Sequence, residues 1–177
     1  MDDTPLSTAR KWKLIFKVLA LNALVVPILL LISQEFISQE RVGHLVHSYP
    51  EFYYESFRIF GSFLKKYVFE TAILEESYAR GLLWLLIVSK MKVVMFKKHD
   101  LTSLVLWASL IIPTFQWATL HPIFLPVFFA GLTWGWLVIK TKSMWPAVVS
   151  HMLANLSIYF LIKLVQLLGY GYLLYKY

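Results

Sequence analysis

The sequence contains no cysteine. That rules out disulfides, thiolate nucleophiles and cysteine-based zinc sites, and leaves the compartment open. Charge is scarce too: Asp, Glu, Lys and Arg make up 15% of the 177 residues, against about 25% in ordinary soluble domains. Acidic residues are the rarer sign, 10 against 17 lysines and arginines. No HExxH is present, so zincin chemistry lacks its helix motif. Strand-like alternation, internal repeats and low-complexity linkers are also missing.

What remains is apolar. Hydrophobic residues supply 59% of the chain and aromatics 17%, with a mean hydropathy of +0.64. The length suits one domain, and the composition suits lipid. A net charge of +7 would fit nucleic acid, but the basic residues form no single face. Arg10, Lys11, Lys13 and Lys17 precede or open the first apolar run; Lys90, Lys92, Lys97 and Lys98 separate two later ones; Lys140 and Lys142 separate the next pair. Membrane loops use basic residues in this way. No nucleic-acid partner is expected.

Runs near the ~20 apolar residues that cross a bilayer occur at 14–33, 67–89, 101–120, 123–139 and 145–168. The first continues to Ser33 and ends in QEF, which reads as an uncleaved span and not as a signal peptide. Residues 34–66 mix charges with aromatics and read as one or two interfacial helices. The tail GYGYLLYKY reads as an aromatic interfacial anchor. The expected fold is therefore all-α: a multi-span transmembrane bundle of about five to six spans with an interfacial segment, forming one integral membrane domain over 1–177. With the N-terminus inside, the Lys90–Lys98 and Lys140/Lys142 loops also fall inside. On that simple topology Glu75 lies nearer the outer side and His151 nearer the inner side.

The second run contains ETAILEESYAR, residues 70–80. Ionised groups in a membrane segment are expensive and tend to be functional. Glu76 and Arg80 are spaced i,i+4 with the acid first, the favourable order for a helical ion pair. Glu75 lies about 100° around the helix and has no partner in its own segment. A carboxylate so placed, in surroundings of low dielectric, suits a general base; a structural ion-pair cluster at the membrane edge fits the same residues. In the last run His151 and Asn155 share one helix face. Such a pair can join helices by hydrogen bonds or donate to a developing oxyanion. His121 is followed by Pro122, which disfavours helical geometry at His121 and predicts a helix break there. Together Glu, two His and Asn are parts of a hydrolytic centre, and two His with Glu can also ligate a metal. His44, His47 and His99 are assigned no role. Trp107, Trp117, Trp134, Trp136 and Trp145 read as packing or interfacial residues.

The order of these motifs resembles the CPBP family, the CAAX-protease and bacteriocin-processing membrane proteins also called Abi, which include the type II CAAX prenyl endopeptidases. Glu75-Glu76-Ser-Tyr-Ala-Arg80, followed by Gly81-Leu-Leu, is similar to the family's EExxxR; His151-Met-Leu-Ala-Asn155 is similar to HxxxN. Trp117-Ala-Thr-Leu-His121 approximates FxxxH, with Trp where the motif has Phe. The likeness covers about residues 70–160, which would form the catalytic core. It implies an intramembrane endopeptidase cutting near a membrane-anchored or C-terminal segment of a membrane-associated protein or peptide. Glu75 would activate water, Glu76 and Arg80 would hold the site together, and His121, His151 and Asn155 would orient the water and stabilise the oxyanion. No cofactor is certain; a divalent metal such as zinc, if one is held, would sit on Glu75, His121 and His151. The implied location is a multi-pass position in the bilayer, in the plasma membrane of a prokaryote or the endoplasmic reticulum of a eukaryote. Two alternatives come from other classes: a non-catalytic scaffold or immunity-type protein of the same family, and a proton- or ion-conducting subunit using intramembrane Glu and His.

Overall fold

The computed structural model describes residues 6–36, 60–88, 95–96, 99–100, 102–121, 123–165 and 167–168. Five long helices account for nearly all of them: α1 (Thr8–Phe36), α2 (60–88), α3 (Thr102–Thr119), α4 (Phe124–Thr141) and α5 (Trp145–Val165). Two residues each of β1 (Met95–Phe96) and β2 (His99–Asp100) pair antiparallel between α2 and α3. The expected all-α class holds. By length and composition two helical segments can cross a membrane, Thr8–Leu29 and Phe124–Thr141; the apolar helices Ser103–Thr119 and Trp145–Leu161 are shorter.

α2 departs from the expected boundaries. The sequence places its start at about Tyr67, with 60–66 in an interfacial segment. Instead α-helix Phe60–Phe63 runs through eight residues of π-helix, Leu64–Thr71, into α-helix Ala72–Val88. Phe63 and Ala72 at the two junctions both have right-handed helical dihedrals, so the axis is unbroken. Glu75 therefore lies near the middle of a long helix, about 20 Å from its start, and not at its mouth. The rest of the expected interfacial segment, 37–59, and the aromatic tail lie outside the described residues.

α4 is the hub and touches each of the other four helices. It carries the small-residue spacing that lets membrane helices approach closely, Gly131-Leu-Thr-Trp-Gly135. A Cβ at Gly135 would run into the Leu110 side chain of α3, which is buried. Gly135→Ala is expected to cost about 1–3 kcal/mol through overpacking, read as a lowered melting temperature of the detergent-solubilised protein. Asn22 of α1 is buried, and its Nδ2 donates to Thr133 Oγ1 of α4 at 3.1 Å. The Thr133 hydroxyl in turn donates to the Ala130 carbonyl at 2.7 Å. A polar pair of this kind joins helices where apolar burial gives no drive.

Prolines shape the ends. Pro126 and Pro146 fall in the first turns of α4 and α5, where a missing N–H costs nothing. α4 stops at Lys142, which adopts a left-handed conformation (φ 50°, ψ 34°), and α5 begins three residues later. Pro113, by contrast, lies inside α3, which continues through it. The burial pattern is inverted relative to a soluble protein. Leu24, Leu74 and Leu104 point outward, 64–70% exposed, while Glu76 and Arg80 are fully buried. An apolar exterior of this extent fits a lipid surround.

Candidate active site

Four helices bring the polar residues to one place. α2 supplies Glu75, Glu76 and Arg80; the end of α3 supplies Trp117 and His121; α4 supplies Trp134; α5 supplies Ser150 and His151. Glu76 and Arg80 form the expected i,i+4 pair, with Arg80 Nη1 donating to Glu76 Oε1 at 3.1 Å and both side chains fully buried. The same oxygen lies 3.0 Å from His151 Nδ1. An ionised carboxylate only accepts, so Nδ1 carries the proton and Nε2 points the other way. It points to Glu75 Oε2, 3.7 Å off.

His121 is fixed by the same logic. Beyond Thr119 the helix tightens: the Leu120 and His121 N–H groups donate to the carbonyls three residues back, a common end to a helix. That turn brings His121 Nδ1 within 2.9 Å of the Trp117 carbonyl. A carbonyl only accepts, so Nε2 is again the free nitrogen, and it lies 3.9 Å from Glu75 Oε1. Both imidazoles thus aim Nε2 at Glu75, at separations longer than a direct hydrogen bond. Among the described residues the Glu75 carboxylate receives one direct bond, from Trp117 Nε1 at 3.0 Å. Its side chain is 26% exposed and that of His121 28%. The Glu75 edge of the site is therefore reachable, while Glu76, Arg80 and His151 are shut in.

Aromatic rings wall the buried half. Trp134 stacks on His151 with centroids 4.1 Å apart and planes 17° from parallel. The Arg80 guanidinium lies over Trp117 at 4.9 Å and Trp134 at 5.8 Å, within cation–π range. A Cβ at Gly131 would come within 2.5 Å of Arg80 Nη2 and 2.6 Å of Thr114 Cγ2. The bare backbone of Gly131 is what gives the guanidinium room. Glu76 Oε2, Arg80 Nε and Nη2, Thr114 Oγ1, Trp134 Nε1 and Ser150 Oγ are buried without a hydrogen-bonding partner among the described residues. Glu76 and Arg80 are held by each other, by His151 and by these rings.

Of the residues singled out from the sequence, Glu75, Glu76, Arg80, His121 and His151 come together. The separation expected between Glu75 and His151 is absent: their side chains approach to 3.7 Å, and α2 starts at Phe60, seven residues before Tyr67. Asn155 stands apart: its Nδ2 donates to the Tyr67 carbonyl in the π-helical stretch at 2.8 Å, a bond between α5 and α2. Trp117, Trp134, Gly131 and the Tyr67 carbonyl contribute to the site beyond the residues read as chemical. For Trp117 the available signal is its place four residues before His121, on one helix face; for Gly131 it is the spacing to Gly135. A backbone acceptor leaves no such trace. His99 lies on β2, and His44 and His47 fall outside the described residues.

A family model described as Rce1-like, type II CAAX prenyl endopeptidase, matches residues 60–157, which is over half of the chain. Neither a curated protein nor a solved structure matches it.

Proposed function

The chain belongs to the Rce1-like family of type II CAAX prenyl endopeptidases, membrane-embedded proteases, and from that premise we propose that it is an intramembrane endopeptidase with Glu75 as its general base. Its five long helices would cross the bilayer, and its substrate would be a membrane-associated protein or peptide cut near an anchored or C-terminal segment. The observation that carries the reading is the approach of two imidazole Nε2 atoms to one partly exposed carboxylate, 3.7 and 3.9 Å away.

A water molecule between Glu75 Oε1 and His121 Nε2 would hydrogen-bond to both. Its oxygen attacks the scissile carbonyl carbon as Glu75 accepts a proton. The C–O bond forms, charge gathers on the former carbonyl oxygen, and the C–N bond breaks as Glu75 passes that proton to the leaving amine. His151 faces the same carboxylate from the other side, and with a proton on both ring nitrogens its Nε2 would donate to the oxyanion. Glu76 and Arg80 fix His151 without meeting substrate. Asn155, assigned from the resemblance to the oxyanion, here has one N–H engaged with α2, so we give it the task of holding α5 in place.

Cells carrying wild type or Glu75→Gln at matched protein levels provide the test, with membrane and secreted peptides compared. A fragment or accumulated precursor that depends on Glu75 establishes proteolysis and identifies the substrate. Full rescue of a deletion phenotype by Glu75→Gln, with no peptide difference, favours the scaffold reading instead.

A second reading is a divalent metal such as zinc on Glu75, His121 and His151. It draws on the Nδ1 partners of both imidazoles, a carbonyl and a carboxylate, which are the usual outer-shell partners of metal-binding histidines. Among the described residues, however, no three His, Cys, Asp or Glu are disposed to hold an ion. Cleavage is expected to survive 1,10-phenanthroline; loss of activity that zinc restores would support the metal reading.

A further inference from the structure

We propose that Trp117 is a positioning residue that sets the distance between Glu75 and His121 and selects which Glu75 oxygen takes the proton. This rests on the reading of Glu75 as the base. Trp117 makes two hydrogen bonds to the site from one rigid residue. Its indole N–H donates to Glu75 Oε2 at 3.0 Å, and its carbonyl accepts from His121 Nδ1 at 2.9 Å. The carboxylate on α2 and the imidazole at the end of α3 are therefore both referenced to the same tryptophan. With Oε2 engaged by the indole, Oε1 is the oxygen left facing His121 Nε2.

The ring itself cannot shift easily. Trp117 is 4% exposed, carries the Arg80 guanidinium over one face at 4.9 Å, and meets His121 edge-on at 4.7 Å. Burial alone does not account for the bond to Glu75. The equally buried Trp134 leaves its Nε1 without a partner among the described residues, so in this site a tryptophan can serve as wall alone. Trp117 instead aims its one donor at the carboxylate. Phenylalanine, which stands at this position in the motif that the segment approximates, fills an aromatic site and offers no donor. Trp117→Phe accordingly separates the N–H from the ring.

The experiment uses the full chain in detergent and has two arms. In the first, 15N-indole spectra of wild type and Glu75→Gln are compared, with Trp117→Phe to assign the resonance. The Trp117 signal is expected to move on Glu75→Gln; a signal that stays in place overturns the proposal. In the second, kcat and KM are measured on a prenylated peptide ending in a CAAX sequence, or on the precursor found in cells. Trp117→Phe is expected to lower kcat roughly ten- to hundredfold with KM unchanged and a melting temperature lowered only modestly by the smaller ring. Trp107→Phe, on the outward face at 53% exposure, serves as the control and should match wild type. A wild-type kcat for Trp117→Phe overturns the proposal even where the indole signal responds. If wild type cleaves nothing, the endopeptidase reading fails by itself, and the first arm still decides whether Trp117 holds Glu75.

Discussion

Glutamine at position 75 is expected to lower the cleavage rate by about 10²–10⁴-fold, the usual contribution of a positioned general base, while the bundle melts where wild type melts. The substitution keeps the shape of the side chain and keeps an oxygen able to accept the Trp117 N–H, 3.0 Å away in the native site. What it removes is the capacity to take a proton from water. Because Glu75 is partly exposed and outside the buried pair, no charge elsewhere is left without its partner. KM should change little if the carboxylate acts, as proposed, on water and not on the peptide. The measurement is steady-state kinetics beside a thermal melt of the same preparation. Loss of folding together with activity would make Glu75 a structural residue, and retained activity would remove it from the chemistry.

The largest effect on stability is expected at Arg80. Replacing it with Met leaves Glu76 as a fully buried carboxylate whose one remaining partner among the described residues is His151. Removing one member of a buried pair typically costs about 3–5 kcal/mol, because the other charge stays desolvated. Lysine is not a conservative replacement here. A flat guanidinium lies over Trp117 and Trp134 and presses on Gly131, and a point-like ammonium on a flexible stem makes neither contact as well. The informative variant is the double one, Glu76→Gln with Arg80→Met. Its two partners no longer include an unpaired ion, so most of the lost stability should return. Activity should not, because His151 Nδ1 then faces a neutral amide and its orientation is held more weakly. A thermal-melt cycle over the two single variants and the double variant measures the coupling. A double variant no more stable than Arg80→Met alone would mean that the pair is not what destabilised it.

Much of this arrangement is legible in the sequence, for reasons that can be traced residue by residue. Apolar runs bounded by lysines lead to α3, α4 and α5 within a few residues, since length and hydropathy dominate there. The i,i+4 spacing of Glu76 and Arg80 predicts their pairing, and the 100° offset predicts that Glu75 turns elsewhere. The start of α2 is not legible. FGSFLKK combines aromatics with two lysines and looks like an interfacial stretch; only its packing against α5, through Phe63 and Tyr159 at 4.7 Å, shows it as helix in the bundle. Asn155 illustrates a second limit. Its helix-joining role was one of two readings, and the choice depended on a main-chain carbonyl at Tyr67 that no side-chain pattern reports. Trp117 illustrates a third. A tryptophan among apolar residues reads as filler, and whether its single donor meets an acceptor is decided only by the neighbouring helix.

The π-helical stretch at Leu64–Thr71 acts as a phase joint. A π turn takes up more residues than the 3.6 of an α turn, so the two ends of α2 need not follow one continuous angular progression. Phe63 before the joint and Val68 within it cluster with Tyr159; beyond it, Glu76 and Arg80 keep the face that His151 requires. Each single residue added to or removed from a plain α-helix turns everything beyond it by about 100°. A helix with such a joint can gain or lose a residue before it and take up the error locally, leaving the face that carries Glu75 and Glu76 where it was.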